Sequence, residues 1–319
     1  MSIESIHTED RIFHPSEQLS KNSRVKDLTQ YQKLCESYKS DYEGTWGKLA
    51  NDFLIWDKPF TKILDDSTPP FYKWFDDGKL NASYNCLDRH VDSQPNKTAI
   101  IFEADDGNVT KVTYQELYER VCQFSNGLKT LNLNIGDRVI IYLPMGIEAI
   151  VAMQACVRLG LTHSVVFGGF SAKSLQERIS DTTARLVITS DGQFRGGKVI
   201  PLKSAIDDAI EMGDCESIEK VIVFNRTNEP FDKNDRDIMW DDLIRDQSTE
   251  CPPVSVPAEH PLFILYTSGS TGKPKGVQHS TAGFLLHAIN TCRLTFDLQD
   301  NDIYWLSLIH ISEPTRRRG

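Results

Sequence analysis

The chain has 319 residues, of which 39% are hydrophobic and 25% charged, and its formal net charge is -10. This composition is typical of a globular protein of about two domains, and it excludes collagen-like, disulfide-stapled and wholly disordered chains. The acidic balance argues against electrostatic binding to nucleic acid or anionic lipid, although it is compatible with a local cationic pocket for a phosphate-bearing ligand.

Features of membrane, secreted and metal-binding proteins are missing from the sequence. No run of about 18 apolar residues suits a membrane span, and the N-terminus lacks the basic and apolar regions of a signal peptide. The seven cysteines are scattered without a CxxC pair, which favours reduced thiols, and the eight histidines show no metal-ligand spacing. We therefore expect a cytoplasmic protein without a metal site of its own and without a nucleic-acid or membrane partner.

The first 80 residues or so are polar and studded with aromatic side chains. The aromatic residues are Trp46, Trp56, Phe60, Tyr72, Trp74 and Phe75. No period of 2 or 3.6 residues runs through this segment. It is therefore interpreted as a helical and irregular segment that packs its aromatic residues onto a neighbouring domain, rather than as a free-standing binding module.

From residue 98 onward, short β-branched runs alternate with stretches of helical spacing. Strands are predicted at 98–103, 138–143, 163–167, 185–189, 221–224 and 262–266. Helices are predicted at 112–128, at 147–159 before Gly160, and after the N-cap Ser171. This alternation indicates an α/β fold with a parallel sheet covered on both faces. In such sheets ligands bind at the loops beyond the carboxyl ends of the strands.

The strongest chemical signal is YTSGSTGKPKG at 266–276, directly after a predicted strand. Glycines let consecutive backbone N–H groups form an anion nest, hydroxyls add donors, and lysines supply positive charge. The segment therefore suits a polyphosphate better than it suits a flexible surface linker. Its spacing fits neither a Walker A loop nor a kinase-type glycine loop, which disfavours a P-loop NTPase.

Two further glycine-containing segments follow predicted strands. In QFRGGK (193–198), two cations three residues apart could clamp a phosphate, although a solvated basic turn explains the pattern at least as well. In FGGF (167–170), two glycines at a strand-to-helix turn permit a ligand to touch the backbone, and a tight turn alone would also explain them.

The glycine-rich segment resembles the phosphate-loop signature of the adenylate-forming superfamily, which includes acyl-CoA synthetases, luciferases and non-ribosomal peptide adenylation domains. Several separated stretches resemble acetyl-CoA synthetases in particular: IWDKPF (55–60), KWFDDGKLN (73–81), LNASYNCLDRHV (80–91), HSVVFGGFSAKSLQERI (163–179) and SDGQFRGGKVIPLK (190–203). The resemblance extends from about residue 28 to residue 305. It implies the truncated N-terminal part of the superfamily's large α/β domain, with parallel-sheet layers, preceded by a mainly helical or irregular segment.

The resemblance implies an AMP-forming acetate–CoA ligase that converts ATP, acetate and CoA to AMP, pyrophosphate and acetyl-CoA through acetyl-adenylate. ATP, Mg2+ and CoA would be the substrates and cofactors of the intact enzyme. Propionyl-CoA synthetase and a non-catalytic CoA- or ATP-binding remnant stay open as alternatives, and the oligomeric state is unknown.

The resemblance also implies site residues. The ATP β- and γ-phosphates would lie against Thr267, Ser268, Gly269, Ser270, Thr271, Gly272, Lys273, Lys275 and Gly276. CoA would lie against Arg195, Gly196, Gly197, Lys198, Gly168 and Gly169. No catalytic residue is assigned, because the family's catalytic lysine is expected beyond residue 319.

The resemblance divides the chain into four parts. Residues 1–27 are expected to form a flexible N-terminus, 28–85 the acetyl-CoA synthetase N-terminal segment, and 86–305 an incomplete AMP-binding domain. The last stretch, 306–319, does not resemble the family and is interpreted as an artefactual tail. Because later family motifs are missing, we expect this polypeptide to lack synthetase activity by itself.

Overall fold

A computed structural model describes residues 13–267 and 275–305 of the chain, so the 306–319 tail lies outside the described residues. The chain divides into two compact units. One consists of Met1–Ala50 and Leu286–Gly319, and the other is Asn51–Leu285. Within the described residues, no helix has the length and apolar character that crossing a membrane requires.

The N-terminal part of the chain is helical. Its helices are α1 (Glu17–Asn22), α2 (Leu28–Ser40) and α3 (Tyr42–Phe53). The Asp27 carboxylate accepts a hydrogen bond from the backbone N–H of Gln30 at 2.8 Å, which caps α2. The mainly helical N-terminal segment expected from the sequence is therefore present.

The segment after α3 is short-stranded and irregular. It contains β1 (Leu64–Asp65), β2 (Lys73–Trp74), β3 (Lys79–Leu80), a π-helix (Tyr84–Asp88) and α4 (Arg89–Val91). The rings of Trp56, Phe60 and Phe75 lie 4.6 to 5.7 Å apart, centroid to centroid. These aromatic residues, expected to pack onto a neighbouring domain, pack on one another within the second unit. Edge-on and tilted ring pairs bury the apolar surface of each ring.

The remaining elements follow in chain order. They are β4 (Thr98–Glu103), β5 (Val109–Thr113), α5 (Tyr114–Lys129), β6 (Arg138–Tyr142), α6 (Ile147–Arg158), β7 (Thr162–Val165), α7 (Ala172–Thr182), β8 (Leu186–Ser190), β9 (Gly192–Arg195), β10 (Lys198–Pro201), α8 (Lys203–Glu211), β11 (Lys220–Phe224), β12 (Asp237–Met239), α9 (Trp240–Ile244), β13 (Val256–Pro257), β14 (Pro261–Thr267), β15 (Lys275–Ser280) and α10 (Thr281–Leu294).

A seven-stranded sheet forms the centre of the second unit, with strand order β12-β11-β8-β6-β7-β14-β15. All neighbouring strands are parallel except β14 and β15, which are antiparallel. Alternate residues of β6 point to opposite faces: Val139 and Ile141 join the core beneath α5 and α6, whereas Ile140 and Tyr142 join the core beneath α7 and α8. The α/β fold with helices on both faces is thus confirmed.

The structure corrects two predicted elements. The strand at 98–103 does not join the main sheet, because β4 pairs antiparallel with β5 in a separate two-stranded sheet. The helix predicted from residue 112 begins at Tyr114 instead, since Val112 and Thr113 belong to β5. Thr113 and Glu116 form a capping box, in which the Thr113 hydroxyl accepts from the Glu116 N–H at 3.2 Å and the Glu116 carboxylate accepts from the Thr113 N–H at 2.8 Å.

Candidate functional site

The glycine-rich segment joins β14 to β15, which pair antiparallel and are here called the β14–β15 hairpin; the strand ends next to that segment are called its base. Tyr266 pairs with Gly276, and Thr267 pairs with Lys275. The other predicted phosphate-binding residues lie outside the described residues: Ser268, Gly269, Ser270, Thr271, Gly272 and Lys273. Because β14 runs parallel to β7, this end of the hairpin lies at the carboxyl edge of the sheet, where ligands bind in α/β folds.

Lys275 and Gly276 were predicted as loop residues and are found in strand β15. The local sequence is typical of a loop, but pairing with β14 holds these two residues in an extended strand. A side chain at Gly276 would place a Cβ 3.2 Å from Cε1 of Tyr266, so the glycine lets the tyrosine ring lie across the neighbouring strand.

The second predicted site is also a hairpin, formed by β9 and β10 and here called the β9–β10 hairpin. Arg195 and Lys198 face each other at its end, both exposed to solvent. Gly196 and Gly197 connect them with φ of +57° and +74°, the left-handed pair that a tight two-residue hairpin turn requires. Like charges directly opposite on paired strands are unfavourable, and a bound anion would relieve that repulsion. The predicted solvated turn is therefore an exposed cationic hairpin tip.

A buried carboxylate anchors the β9–β10 hairpin. Asp191, only 2% exposed, accepts hydrogen bonds from the backbone N–H groups of Gly192, Arg226, Thr227 and Glu229 at 2.7 to 3.0 Å. It also accepts from the Thr227 hydroxyl at 3.0 Å. Asp191 was not among the predicted site residues. An acidic residue between a strand and a glycine indicates a turn, but all its partners except Gly192 lie more than 30 residues away.

The glycine turn at 167–170 is closed by a buried tyrosine of β6. The Tyr142 hydroxyl donates to the carbonyl oxygen of Phe170 at 3.0 Å and accepts from the N–H of Gly169 at 3.0 Å. Gly169 has a φ of +107°, which L-residues with a side chain rarely adopt. Burial raises the pKa of Tyr142, so its hydroxyl stays protonated and can donate.

The structure brings the glycine turn and the β9–β10 hairpin together. A Cβ at Gly169 would lie 3.5 Å from Nη1 of Arg195, and the guanidinium carbon of Arg195 is 5.5 Å from the ring centroid of Phe167. Gln193 fills the space between them at 6% exposure, and its Nε2 has no hydrogen-bond partner in the part of the chain that the structure describes. Gln193 belongs to the predicted QFRGGK segment but was not a predicted ligand-binding residue, and Tyr142 had no signal in the sequence. Only the tertiary fold brings both to the turn.

Replacing Gly168 by alanine should lower the free energy of unfolding by about 1–2 kcal/mol, because the new Cβ overpacks a filled space. That Cβ would lie 2.8 Å from Oε1 of Gln193, a side chain too buried to swing aside freely. Urea denaturation of the purified chain measures the change. Gly197→Asn is the matched control, since nothing lies near its Cβ and asparagine tolerates the left-handed conformation. Equal losses in the two variants would contradict the packing argument.

No metal site is found in the described part of the chain. Over residues 13–267 and 275–305, no three His, Cys, Asp or Glu side chains form a group that could hold a metal ion. The cationic and donor groups at the carboxyl edge suit anions instead. They include Lys275 at the base of the β14–β15 hairpin, and Arg195 and Lys198 at the tip of the β9–β10 hairpin.

Comparison with known proteins gives matches over most of the chain. The sequence model of AMP-binding enzymes matches residues 87–315, and that of the acetyl-coenzyme A synthetase N-terminus matches residues 31–86. The acetyl-coenzyme A synthetase of Thiobacillus denitrificans is 57% identical over 305 residues, which is 95% of this chain and 47% of that protein. The acetyl-coenzyme A synthetase of Laribacter hongkongensis is 57% identical over 304 residues, with the same two shares.

A solved structure shares the fold. The acetoacetyl-CoA synthetase from Streptomyces lividans superposes with a TM-score of 0.78 at 25% identity, over 88% of this chain and 43% of that one. The chain thus spans about half the length of the curated relatives that it matches.

Proposed function

Because the chain belongs to the family of AMP-binding enzymes, we propose that it forms part of an acetate–CoA ligase and carries that enzyme's ATP-phosphate and CoA sites. One observation carries the proposal: the glycine turn follows β7, the β9–β10 hairpin follows β8, and Thr267 and Lys275 lie where β14 ends, so three groups of anion-binding residues lie at the carboxyl edge of the sheet. The 57% identity to proteins named acetyl-coenzyme A synthetase supports acetate as the acid.

The proposed reaction has two steps. An acetate oxygen attacks the α-phosphorus of ATP, which forms acetyl-adenylate and releases pyrophosphate. The sulfur of CoA then attacks the acetyl carbonyl carbon, which forms the thioester and releases AMP, while the thiol proton passes to solvent. Adenylation is needed because a free carboxylate is a poor electrophile. The protein's part in both steps is to position the reactants and to stabilise charge on the phosphates.

The β14–β15 hairpin is the proposed site for the β- and γ-phosphates of ATP. Thr267 and Lys275 pair at its base and bring a hydroxyl and a cation to the carboxyl edge of the sheet. Glycine backbone N–H groups and the serine, threonine and lysine side chains at 268–273 complete the predicted donor set. Mg2+ usually binds through substrate phosphates and a few oxygen ligands, so we propose that it arrives with ATP.

The β9–β10 hairpin and the glycine turn are the proposed CoA site. Arg195 and Lys198 would bind the phosphates at the nucleotide end of CoA, and Gly168 and Gly169 would let the ligand approach the backbone. The exposed rings of Phe167 and Phe194 offer faces on which an adenine base can stack.

The CoA site is tested by calorimetry on the purified chain. Arg195→Gln should weaken CoA binding about tenfold, because a charge-assisted hydrogen bond to phosphate is lost. Lys111→Gln is the matched control, since it removes an exposed cation from β5, in the separate two-stranded sheet. Dephospho-CoA, which lacks the 3′-phosphate, should bind the unmodified chain weakly and should be insensitive to Arg195→Gln. Equal effects of the two substitutions on CoA affinity would contradict the assignment.

A further inference from the structure

We propose that Arg178 is a positioning residue that holds the base of the β14–β15 hairpin against the glycine turn, and so couples the two binding sites. The identity of the ligands at the two sites, the ATP phosphates and CoA, rests on the proposed function. The contacts that join the two sites lie within the second unit and do not depend on the proposed function.

The guanidinium of Arg178 lies between two aromatic rings. Arg178 is on α7, is only 7% exposed, and its guanidinium carbon is 5.1 Å from the ring centroid of Phe170 and 5.1 Å from that of Tyr266. Phe170 ends the glycine turn, and Tyr266 pairs with Gly276 in the hairpin. One side chain therefore contacts both candidate sites.

The orientation of this guanidinium is fixed by its own helix. Nη1 of Arg178 donates to the carbonyl oxygen of Ser174 at 2.7 Å. Arg178 forms no salt bridge with another described residue, and its charge interacts with the neighbouring Glu177 carboxylate and with the faces of the two rings. Cation–π contacts become stronger when the cation is withdrawn from water, as it is here.

Tyr266 is attached to α7 at a second point. Its hydroxyl donates a hydrogen bond to the carboxylate of Asp181, also on α7. Burial and the nearby Asp181 carboxylate raise the pKa of Tyr266, so the hydroxyl stays protonated. Because Gly276 has no side chain, the same ring also lies across β15. Opening the base of the hairpin must therefore break contacts with α7.

The contacts continue to the cationic hairpin tip. The rings of Phe167 and Phe170 are 6.1 Å apart in an edge-on pair, and Arg195 lies over Phe167. Arginine and aromatic side chains thus form a continuous row from Arg195 to Tyr266. A ligand that fixes Arg195 and the glycine turn should also restrict the base of the β14–β15 hairpin, and linkage makes the effect reciprocal.

The first test needs no ligand. Hydrogen exchange is followed by mass spectrometry in peptides that cover 261–267 and 275–280, in the unmodified chain and in Arg178→Leu. We expect exchange in these two strands to be about tenfold faster in Arg178→Leu, since local opening no longer breaks the ring contacts. Lys173→Leu is the matched control, because it removes an exposed cation from the same helix. Equal exchange in the three proteins would overturn the proposal.

Further variants separate positioning from general destabilisation. Arg178→Lys keeps the charge but loses the planar stack, and Tyr266→Phe keeps the ring but loses the hydrogen bond to Asp181. Both should give intermediate exchange in the two strands, while exchange in the strand pair β4–β5 stays unchanged. Faster exchange throughout the chain in every Arg178 variant would assign Arg178 a merely structural role and overturn the proposal.

The second test uses CoA as the probe. Saturating CoA should slow exchange in 261–267 and 275–280 about threefold in the unmodified chain, and it should have no effect there in Arg178→Leu. Calorimetry on both proteins checks that CoA is bound. If no heat of CoA binding is found in either protein, the proposed function fails, and the ligand-free test still decides the inference. If CoA binds but leaves the hairpin unaffected, the coupling fails alone.

Discussion

Replacing Arg158 by leucine should lower the free energy of unfolding by about 3–5 kcal/mol, because it leaves a carboxylate without its buried partner. Arg158 is 1% exposed, and two of its nitrogens donate to the Asp88 carboxylate at 2.8 Å each. Its Nε donates to the carbonyl oxygen of Cys251 at 2.6 Å. Arg158 thereby joins the end of α6 to the π-helix and to the segment before β13.

Urea denaturation of Arg158→Leu and of Arg245→Leu compares the stability lost with a buried ion pair to that lost with an exposed ion pair. Arg245 pairs with Asp242 at 2.5 Å, and both side chains are exposed, so its loss should change the free energy of unfolding by less than about 1 kcal/mol. Adding Asp88→Leu to Arg158→Leu should restore part of the stability, since no charge is then left unpaired. A double variant that is less stable than Arg158→Leu would contradict this explanation.

The central sheet could be predicted because its strands are specified locally. The β-branched runs around Ile140, Ile188 and Ile222 are buried on both faces and therefore read as continuous apolar segments. Strand β15 could not be predicted in this way. Its residues include Lys275, Gly276 and His279, and only pairing with β14 makes them a strand.

The candidate site could be predicted only where glycines and cations are adjacent in sequence. Arg195 and Lys198 could be found because a hairpin turn sets their spacing. Arg178 and Tyr142 could not be found, because they reach the site from helix α7 and from a central strand. Gln193 lies in the predicted QFRGGK segment, but its packing against the glycine turn depends on the tertiary fold. The neighbouring sequence does not indicate the role of a buried polar residue when that residue's partners are distant in the chain.

Replacing Asp191 by alanine should both destabilise the chain by about 3 kcal/mol and weaken CoA binding about tenfold. Several backbone N–H groups, among them those of Arg226, Thr227 and Glu229, would lose their acceptor, and each unsatisfied buried donor costs about 1–3 kcal/mol, less where water can enter. The loss of affinity should follow because Asp191 ties the base of the β9–β10 hairpin to the loop after β11. Without that tie, Arg195 and Lys198 would lose their fixed positions.

Urea denaturation and CoA calorimetry on the same samples separate the two effects. Asp208→Ala, an exposed acidic residue of α8, is the control for the change in net charge and should alter neither quantity appreciably. Asp191→Asn keeps one acceptor oxygen but turns an NH2 group toward N–H donors. Its free energy of unfolding and its CoA affinity should therefore both lie between those of Asp191→Ala and those of the unmodified chain. If Asp191→Ala loses stability but keeps its full affinity for CoA, the β9–β10 hairpin does not need this anchor to bind the ligand.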